Sequence, residues 1–370
     1  MELPMAGSEL DESDIQAVLN VLRSGRLALG PEAEAFGEEL AQRVDARFGV
    51  AVSSGTAALH IAVRALGWGP GDEVLVPSFT FVASVNALLY EGVTPVFVDI
   101  DPRTFCLDPQ CVEAALTPRT KGIMVVDVFG HPAPWGELLE IAQRHGLRLI
   151  DDSCEALGAE YQGRKLGSLA DVSTFAFYPN KQITTGEGGM LVTDDPQIAS
   201  LARSLRNQGR GEMGAWLEHP RLGFNYRMSE LNAALGRSQL ARLDRFMALR
   251  EQVAHMYTQR LAKVEGIKPP VVEPDVRMSW FVYVVTLDEG IQRDEIVRTL
   301  KTHGVPSRAY FSPIHRQPCA AQWAPEEGSL PVTEDVAART LALPFHNRLS
   351  EAQVERVASA LEEALADRRD

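Results

Sequence analysis

The strongest constraint on the fold is an alternation of short apolar runs with helical segments between Gly49 and Thr193. The apolar runs are too short for helices, and the stretches between them have helical periodicity, as at 56–66, 80–90 and 135–145. Strands that alternate with helices form a parallel sheet, because each helix returns the chain to the start of the next strand. The predicted strands are residues 50–52, 73–76, 93–98, 122–126, 148–151, 172–176 and 190–193.

A chain of 370 residues exceeds the usual size of one hydrophobic core, so we expect two domains. A helical pattern at 229–264 follows the sheet region and predicts a bridge between them. Beyond it we predict a strand at 280–287, a helix at 294–303 and a closing helix that opens with the capping box 350–353. We therefore predict a large α/β domain, residues 1–245, and a smaller α+β domain, residues 246–370.

Composition excludes several classes of protein. The net charge of -14 argues against nucleic acid as a main partner, because phosphate backbones are bound by clustered Lys and Arg. No apolar run reaches the ~18 residues of a membrane span. The first 14 residues are acidic, which is the wrong charge for a signal peptide, so we expect a cytoplasmic protein. The four cysteines have no C-x-x-C or zinc-ligand spacing, and we expect no metal.

A lysine before a glycine-rich turn is the first candidate for chemistry. Segment 180–189, N-K-Q-I-T-T-G-E-G-G, lies between the last two predicted strands and contains Lys181. Most basic residues in this chain are arginines, and primary amines are few. A lysine amine forms Schiff bases with carbonyl compounds, including pyridoxal 5'-phosphate (PLP). Taken alone, the segment is equally compatible with an exposed lysine beside a turn.

A second candidate is segment 53–59, S-S-G-T-A-A-L, which follows a predicted strand and opens a helix. Backbone N–H groups at a helix N-terminus form an anion site suited to a phosphate, and Gly55 lets the backbone approach closely. An ordinary N-cap has the same appearance. The segment matches neither G-x-G-x-x-G nor the P-loop pattern, which argues against a dinucleotide or ATP.

The third candidate is a pair of carboxylates, Asp151 and Asp152, at the end of a buried strand. A carboxylate there can pair with a protonated ring nitrogen, which for PLP keeps the pyridine cationic. Strand alternation places the two side chains on opposite faces, so one at most faces a ring. A carboxylate that caps the next turn is the alternative.

Together these segments resemble those of the nucleotide-sugar aminotransferases, the DegT-type branch of the PLP enzymes with the aspartate-aminotransferase fold (fold type I). The resemblance extends from Gly30-Pro31 to segment 310–315. It implies a mostly parallel sheet flanked by helices in the large domain, PLP as cofactor, Lys181 as the Schiff-base lysine and Asp152 as the partner of the ring nitrogen. The other cofactor-binding residues that it implies are Gly55, Thr56 and Ala57 for the phosphate, Phe81 stacked on the ring, and Glu155 beside the ring hydroxyl.

The resemblance also implies a homodimer with shared active sites. Segment 223–228, G-F-N-Y-R-M, is similar to a family segment whose Asn reaches across the dimer to the cofactor phosphate, which implies Asn225. Arg227 is our first candidate for the diphosphate of a nucleotide sugar. Tyr310 and His315 lie in a segment similar to one that faces the sugar nucleotide. Without the resemblance, Asn225 and Arg227 would be interpreted as surface residues, and His315 as structural.

The implied reaction moves an amino group from L-glutamate to a nucleotide-linked keto sugar. The T-T-G-E-G-G run most resembles enzymes that aminate C4 of a 4-keto-6-deoxyhexose, although C3 of a 3-keto sugar stays open. One departure is Ala176, where many family members have a Ser that contacts the phosphate; this removes one hydrogen bond, worth roughly 1–3 kcal/mol.

Three other functions differ from this one in the residues or the reaction that they require. A sugar dehydratase of the same family needs a histidine in place of Lys181, and a nicotinamide dehydrogenase needs a glycine fingerprint that this chain lacks. A PLP-binding regulatory protein without turnover stays open, and amine transfer from glutamate distinguishes it.

Overall fold

A computed structural model of the chain describes residues 3–211 and 218–366. The α-helices of this part are α1 (Glu12–Ser24), α2 (Pro31–Arg43), α3 (Gly55–Ala65), α4 (Ala83–Tyr90), α5 (Pro109–Ala114), α6 (Trp135–His145), α7 (Pro196–Arg206), α8 (Glu230–Leu240), α9 (Leu243–Leu261), α10 (Arg293–Thr302), α11 (Pro331–Arg339) and α12 (Glu351–Ala366). The strands are β1 (Phe48–Val52), β2 (Glu73–Pro77), β3 (Thr94–Val98), β4 (Thr120–Val126), β5 (Arg148–Asp152), β6 (Glu160–Tyr161), β7 (Arg164–Lys165), β8 (Val172–Ala176), β9 (Gly189–Thr193), β10 (Ile267–Lys268), β11 (Val276–Arg277), β12 (Tyr283–Leu287) and β13 (Thr340–Leu343).

The central sheet contains all seven predicted strands of the sheet region, in the order β1-β9-β8-β5-β4-β2-β3. The pairs from β8 to β3 are parallel, whereas β9 runs antiparallel to both of its neighbours. Helices cover both faces, with α3, α4 and α7 on one face and α2 and α8 among those on the other. The mostly parallel α/β architecture predicted from the sequence is confirmed.

The C-terminal part of the chain contains a three-stranded antiparallel sheet, β10-β12-β13, together with α9 to α12. The capping box predicted for the last helix is present, since Gln353 N–H donates to Ser350 Oγ and Ser350 N–H donates to Gln353 Oε1. The domain boundary at 245/246 stays a prediction. Within the described residues, no helix is both long and apolar enough to cross a membrane.

Two elements differ from the sequence prediction. The helix predicted at 229–264 is two helices, α8 and α9, and α8 packs on α1 and α2 whereas α9 packs on α12. No Gly or Pro marks the break, and apolar periodicity continues through it, so only tertiary packing reveals it. The strand predicted at 280–287 begins at Tyr283, because Trp280 has a positive φ of 40° and the carbonyls of Trp280 and Phe281 accept hydrogen bonds from Arg250.

A close backbone approach joins α2 to β1. A Cβ atom added to Gly49 would lie 2.1 Å from the carbonyl oxygen of Gly37, and one added to Gly37 would lie 2.7 Å from the carbonyl oxygen of Gly49. Only glycine at both positions allows α2 to lie this close to the edge strand.

We predict that Gly49→Ala lowers the free energy of unfolding by about 1–3 kcal/mol, because α2 must move away from β1. The matched control is Gly69→Ala, whose added Cβ would meet nothing closer than Glu91 O at 3.9 Å. Chemical denaturation of both variants measures the difference. Equal losses in the two variants would contradict the packing argument.

Candidate active site

The carboxyl ends of β1, β5 and β8 meet at one edge of the central sheet. Gly55 begins α3 just after β1, and a Cβ atom added to it would lie 2.7 Å from Ala176 Cβ and 3.0 Å from Cys154 Sγ. Ala176 ends β8, and Cys154 follows β5 by two residues. The three strand ends therefore contact one another, and in parallel sheets this edge is where ligands bind.

The N-terminus of α3 offers free amides to this edge. Ser54 caps the helix, with Ala57 N–H donating to Ser54 Oγ at 3.1 Å. Within residues 3–211 and 218–366, the N–H groups of Gly55 and Thr56 have no protein acceptor. These two amides and the helix dipole suit an anion. Ala57, also predicted to bind the phosphate, uses its own amide in the cap.

The two adjacent aspartates point to opposite faces of the sheet. Asp152 Oδ2 accepts a hydrogen bond from Ser84 Oγ at 2.6 Å, and its Oδ1 accepts one from Cys154 N–H at 3.2 Å. Asp151 is fully buried, and its Oδ1 lies 2.7 Å from Ser153 Oγ. Asp152 is thus the carboxylate on the side of Ser84. Asp151 points to the other face, because successive side chains of a strand alternate.

Phe81 lies beside Asp152 because Ser84 links the two. Ser84 Oγ lies 3.3 Å from the carbonyl oxygen of Phe81 as well as 2.6 Å from Asp152 Oδ2. The Phe81 side chain is 59% exposed, which is unusual for an aromatic residue. Its ring is accessible for stacking against a planar group near Asp152.

Lys181 lies in the connection between β8 and β9, with 12% of its side chain exposed. Its Nζ is 3.6 Å from Glu155 Oε1 and 3.8 Å from the centroid of the Phe281 ring. Glu155 also accepts a hydrogen bond from Phe129 N–H at 2.9 Å. Burial raises the pKa of Glu155, while the nearby Lys181 ammonium and the Phe129 amide lower it. The lysine amine is thus held between one carboxyl group and one aromatic face.

The backbone around Lys181 is fixed from the C-terminal part of the chain. Arg250, on α9, donates to the carbonyl oxygens of Lys181 at 3.1 Å, Trp280 at 3.0 Å and Phe281 at 3.2 Å. Burial lowers the pKa of Arg250 to about 10, so it remains a cation at neutral pH. The buried guanidinium of Arg250 therefore links the backbone of Lys181 to that of Phe281, whose ring contacts the lysine amine.

Gln182 adds a second attachment for the same loop. Its Nε2 donates to the carbonyl oxygen of Glu155 at 2.6 Å and to Ser279 Oγ at 2.7 Å. The sequence does not predict the roles of Ser84, Arg250 and Phe281, because no motif contains them. Gln182 was missed although it had a signal, as a polar residue directly after the lysine.

Segment 224–228 is an extended stretch beside the end of β1. Ser53 N–H donates to the carbonyl oxygen of Tyr226 at 2.8 Å, and isolated bridges pair Arg227 with Val52 and Asn225 with Asn207. Alternation along an extended chain places Asn225 and Arg227 on the face opposite to Tyr226. Asn225 is exposed and Arg227 is half-buried.

The aromatic residues of that segment pack on α3. Phe224 and Tyr226 stack with ring centroids 4.9 Å apart, and the Phe224 ring lies 4.5 Å from the His60 ring. His60 Nδ1 is 3.1 Å from Tyr226 Oη, and its Nε2 is 2.8 Å from Glu91 Oε1. Burial lowers the pKa of His60. His60 therefore fixes the segment that carries Asn225 and Arg227.

Arg227 lines a cavity of about 360 Å³ that is rich in arginine. Its lining includes Arg26, Arg203, Arg206 and Glu34, but neither Lys181 nor Asp152. Arg227 itself donates to Asn207 Oδ1 at 3.0 Å. Within one chain, Arg227 therefore lines a cavity that is separate from Lys181 and Asp152.

The last two predicted residues have different surroundings. Tyr310 is half-buried, and burial together with the negative charge of Glu155 raises the pKa of its hydroxyl. His315 is buried, with Nδ1 2.7 Å from Ser78 Oγ and Nε2 3.3 Å from Glu334 Oε1. Both ring nitrogens of His315 thus have partners within the chain, and its contact with the substrate stays a prediction.

Residues 8–362 match the profile of the DegT/DnrJ/EryC1/StrS aminotransferase family. The chain belongs to this family. It is 41% identical to GDP-perosamine synthase of Caulobacter vibrioides, over 98% of both chains. It is 40% identical to dTDP-3-amino-3,4,6-trideoxy-alpha-D-glucose transaminase of Streptomyces venezuelae, over 98% of this chain and 95% of the relative. The crystal structure of S. venezuelae DesV in complex with a ketimine intermediate covers 98% of both chains at 39% identity, with a TM-score of 0.92.

The enzyme is therefore a PLP-dependent transaminase. Its donor set fits that cofactor, since free amides at the start of α3 suit a phosphate, a carboxylate suits a protonated ring nitrogen, and an amine suits an aldehyde. The exposed Phe81 ring suits the flat face of the pyridine.

We predict that borohydride reduction of the purified enzyme followed by peptide mapping places a pyridoxyl group on Lys181. The reason is that Lys181 Nζ faces Glu155 and Phe281 in the site, whereas Lys165 pairs with Asp45 at 2.9 Å. The control is Lys181→Arg, which should take up no label, while Lys165→Arg keeps it. A pyridoxyl group on any other lysine would overturn the assignment.

Proposed function

We propose that this transaminase moves an amino group from L-glutamate to a nucleotide-linked keto sugar, for amino-sugar and polysaccharide biosynthesis. The observation that carries the proposal is the match over 98% of the chain to a GDP-sugar and a dTDP-sugar enzyme. A lysine, a carboxylate and a capped helix N-terminus at one sheet edge support it, since this chemistry needs all three.

We propose the following cofactor roles for the residues. Lys181 would bind the aldehyde carbon, Asp152 the ring nitrogen, and the amides of Gly55 and Thr56 the phosphate. Glu155 would lie beside the ring hydroxyl, because it already contacts the lysine amine. When bound, PLP supplies an electron sink that stabilises a carbanion at the substrate carbon.

Lys181 is also the proposed proton carrier. Its Nζ would take the proton from the α-carbon of the amino donor, as a general base, and would then give it to the carbonyl carbon that PLP supplies, as a general acid. The Phe281 ring and Glu155 limit where the amine can move. Arg250 fixes the carbonyl of the same residue, so the amine moves about a fixed backbone.

We propose further that two chains complete each site. Asn225 of one chain would reach the phosphate of the other, and Arg227 the diphosphate of the sugar nucleotide. Supporting this, Asn225 is exposed and Arg227 lines a cavity that includes neither Lys181 nor Asp152 of its own chain. Ala176, which offers no hydroxyl, leaves the phosphate dependent on the α3 amides, Thr56 and Asn225.

For the sugar, we propose C4 of a 4-keto-6-deoxyhexose as the aminated position, with C3 as the alternative. The S. venezuelae relative is named for a 3-amino sugar, at nearly the same identity as the perosamine enzyme, so identity alone favours neither.

We predict that L-glutamate bleaches the visible band of the holoenzyme, and that a 4-keto-6-deoxyhexose nucleotide restores it faster than the 3-keto isomer. The measurement is the rate of band recovery in a stopped-flow instrument with each sugar nucleotide in turn. 2-Oxoglutarate is the positive control. Faster recovery with the 3-keto isomer would move the reaction to C3. Recovery with neither sugar would contradict a sugar-nucleotide substrate, and bleaching without release of 2-oxoglutarate would indicate a binding protein.

We predict that inactive Lys181→Ala and Arg227→Ala chains complement each other. When equal amounts are unfolded and refolded together, half the dimers are mixed, and one of the two sites in each mixed dimer is intact. About a quarter of wild-type activity should return if subunits pair at random.

The matched control mixes Lys181→Ala with Asp152→Asn, two changes on the same side of the proposed site. Every site then contains a lesion, so no activity should return. Absence of recovery in the first mixture, with mixed dimers shown by mass spectrometry, would mean that Arg227 serves its own chain.

A further inference from the structure

Behind Asp152 lies a second carboxyl pair that the reaction does not use. Asp127, just after β4, and Asp151, in β5, are both completely buried. The Ser153 hydroxyl lies between them, with its Oγ 2.8 Å from Asp127 Oδ2 and 2.7 Å from Asp151 Oδ1. Both distances are those of good O–H···O hydrogen bonds.

A serine hydroxyl has one proton and can donate to only one of these oxygens. The other short contact must therefore be a hydrogen bond that Ser153 Oγ accepts, and its donor must be a protonated carboxyl group. Two carboxylates this close in a buried place would also repel each other strongly. The geometry thus requires one proton for the pair.

The surroundings determine which carboxyl group carries the proton. Asp127 Oδ1 accepts hydrogen bonds from Ala133 N–H at 2.7 Å and from Trp135 Nε1–H at 3.1 Å, so Asp127 has two donors besides Ser153. Within the described residues, Asp151 Oδ2 makes no hydrogen bond of good geometry, although the Ser173 hydroxyl lies near this carboxyl group. Donors stabilise a buried anion, whereas a buried oxygen without one disfavours it.

We propose that Asp127 is the anion and Asp151 a neutral acid, joined by a relay in which Asp151 donates to Ser153 and Ser153 donates to Asp127. Burial raises the pKa of Asp151 well above its usual range, and the charge of Asp127 raises it further. This agrees with the assignment from geometry.

The relay positions Asp152, which lies between Asp151 and Ser153 in the chain. Asp127 N–H donates to the carbonyl oxygen of Asp152 at 3.3 Å, and both neighbours of Asp152 in the chain, Asp151 and Ser153, belong to the relay. Asp127 also fixes the turn that contains Phe129, whose amide contacts Glu155. Asp127, Ser153 and Asp151 are thus positioning residues, and a neutral Asp151 leaves Asp152 as the charged member of the adjacent pair. This role for Asp152 rests on the proposed function.

The direct test is infrared difference spectroscopy of the purified holoenzyme, since protonated carboxyl groups absorb at higher frequency than carboxylates. The wild-type minus Asp151→Asn spectrum should contain a protonated carboxyl band. The matched control, wild-type minus Asp152→Asn, should contain carboxylate bands instead. A carboxylate band lost in Asp151→Asn, or no protonated band in the wild type, would overturn the proposal without affecting the transaminase assignment.

Two pairs of variants test the positioning role. Asp151→Asn, a neutral group that can still donate to Ser153, should recover most of the kcat that Asp151→Ala loses. The kcat of Asp127→Asn should be little higher than that of Asp127→Ala and at least about tenfold below the wild-type kcat. The reason is that Asn lacks the negative charge to which the three proposed donors bind. Equal rescue by Asn at both positions would contradict the asymmetry. If the Asp127 variants do not fold, the wild-type enzyme can be labelled with ¹³C-aspartate. A shift of the protonated carboxyl band on labelling would show that an aspartic acid carries the proton, and no such shift would contradict the proposal.

Discussion

The guanidinium of Arg250 is the interaction on which the geometry of the active site depends. It is completely buried, and within residues 3–211 and 218–366 it has no carboxylate partner; the carbonyl oxygens of Lys181, Trp280 and Phe281 surround it instead. A buried cation is costly unless it is hydrogen-bonded, and a buried carbonyl group without a donor also has a cost. Each group therefore requires the other, and the lysine loop cannot separate from the C-terminal part of the chain without loss on both sides.

Groups that attract anions lie at two places of this acidic molecule. The chain carries a net charge of -14, yet the sheet edge presents an amine and the N-terminus of α3. Cavities with local positive potential attract anionic ligands even in acidic proteins. The arginine-rich cavity beside Arg227 has the same character. These places therefore favour phosphorylated ligands.

The sequence predicted the strands of the central sheet, and the family resemblance implied that segments 53–59, 151–155 and 180–189 bind one cofactor. A parallel sheet makes this possible because it brings its strand ends to one edge. The sequence also predicted that Asp151 and Asp152 face opposite ways, since the period of a strand is two. It did not predict Arg250 or Ser84, because their partners are distant in the chain and no local pattern marks them. The break between α8 and α9 was missed for the same reason: the packing of two helices on different neighbours leaves no signal in periodicity. His315 was assigned from resemblance alone, and the contacts to Ser78 and Glu334 could not be read from its segment.

The hydrogen bond from Ser53 N–H to the carbonyl oxygen of Tyr226 has a consequence for assembly. The same short turn that begins α3, and so forms one chain's proposed phosphate site, also anchors the segment that would extend to the other chain. If the site is shared as proposed, binding of the cofactor at one end of this turn and binding of the second subunit at the other are thermodynamically linked. Such linkage is reciprocal. Dilution that separates the subunits would weaken the retention of the cofactor, and loss of the cofactor would loosen the pairing of the subunits to the same degree.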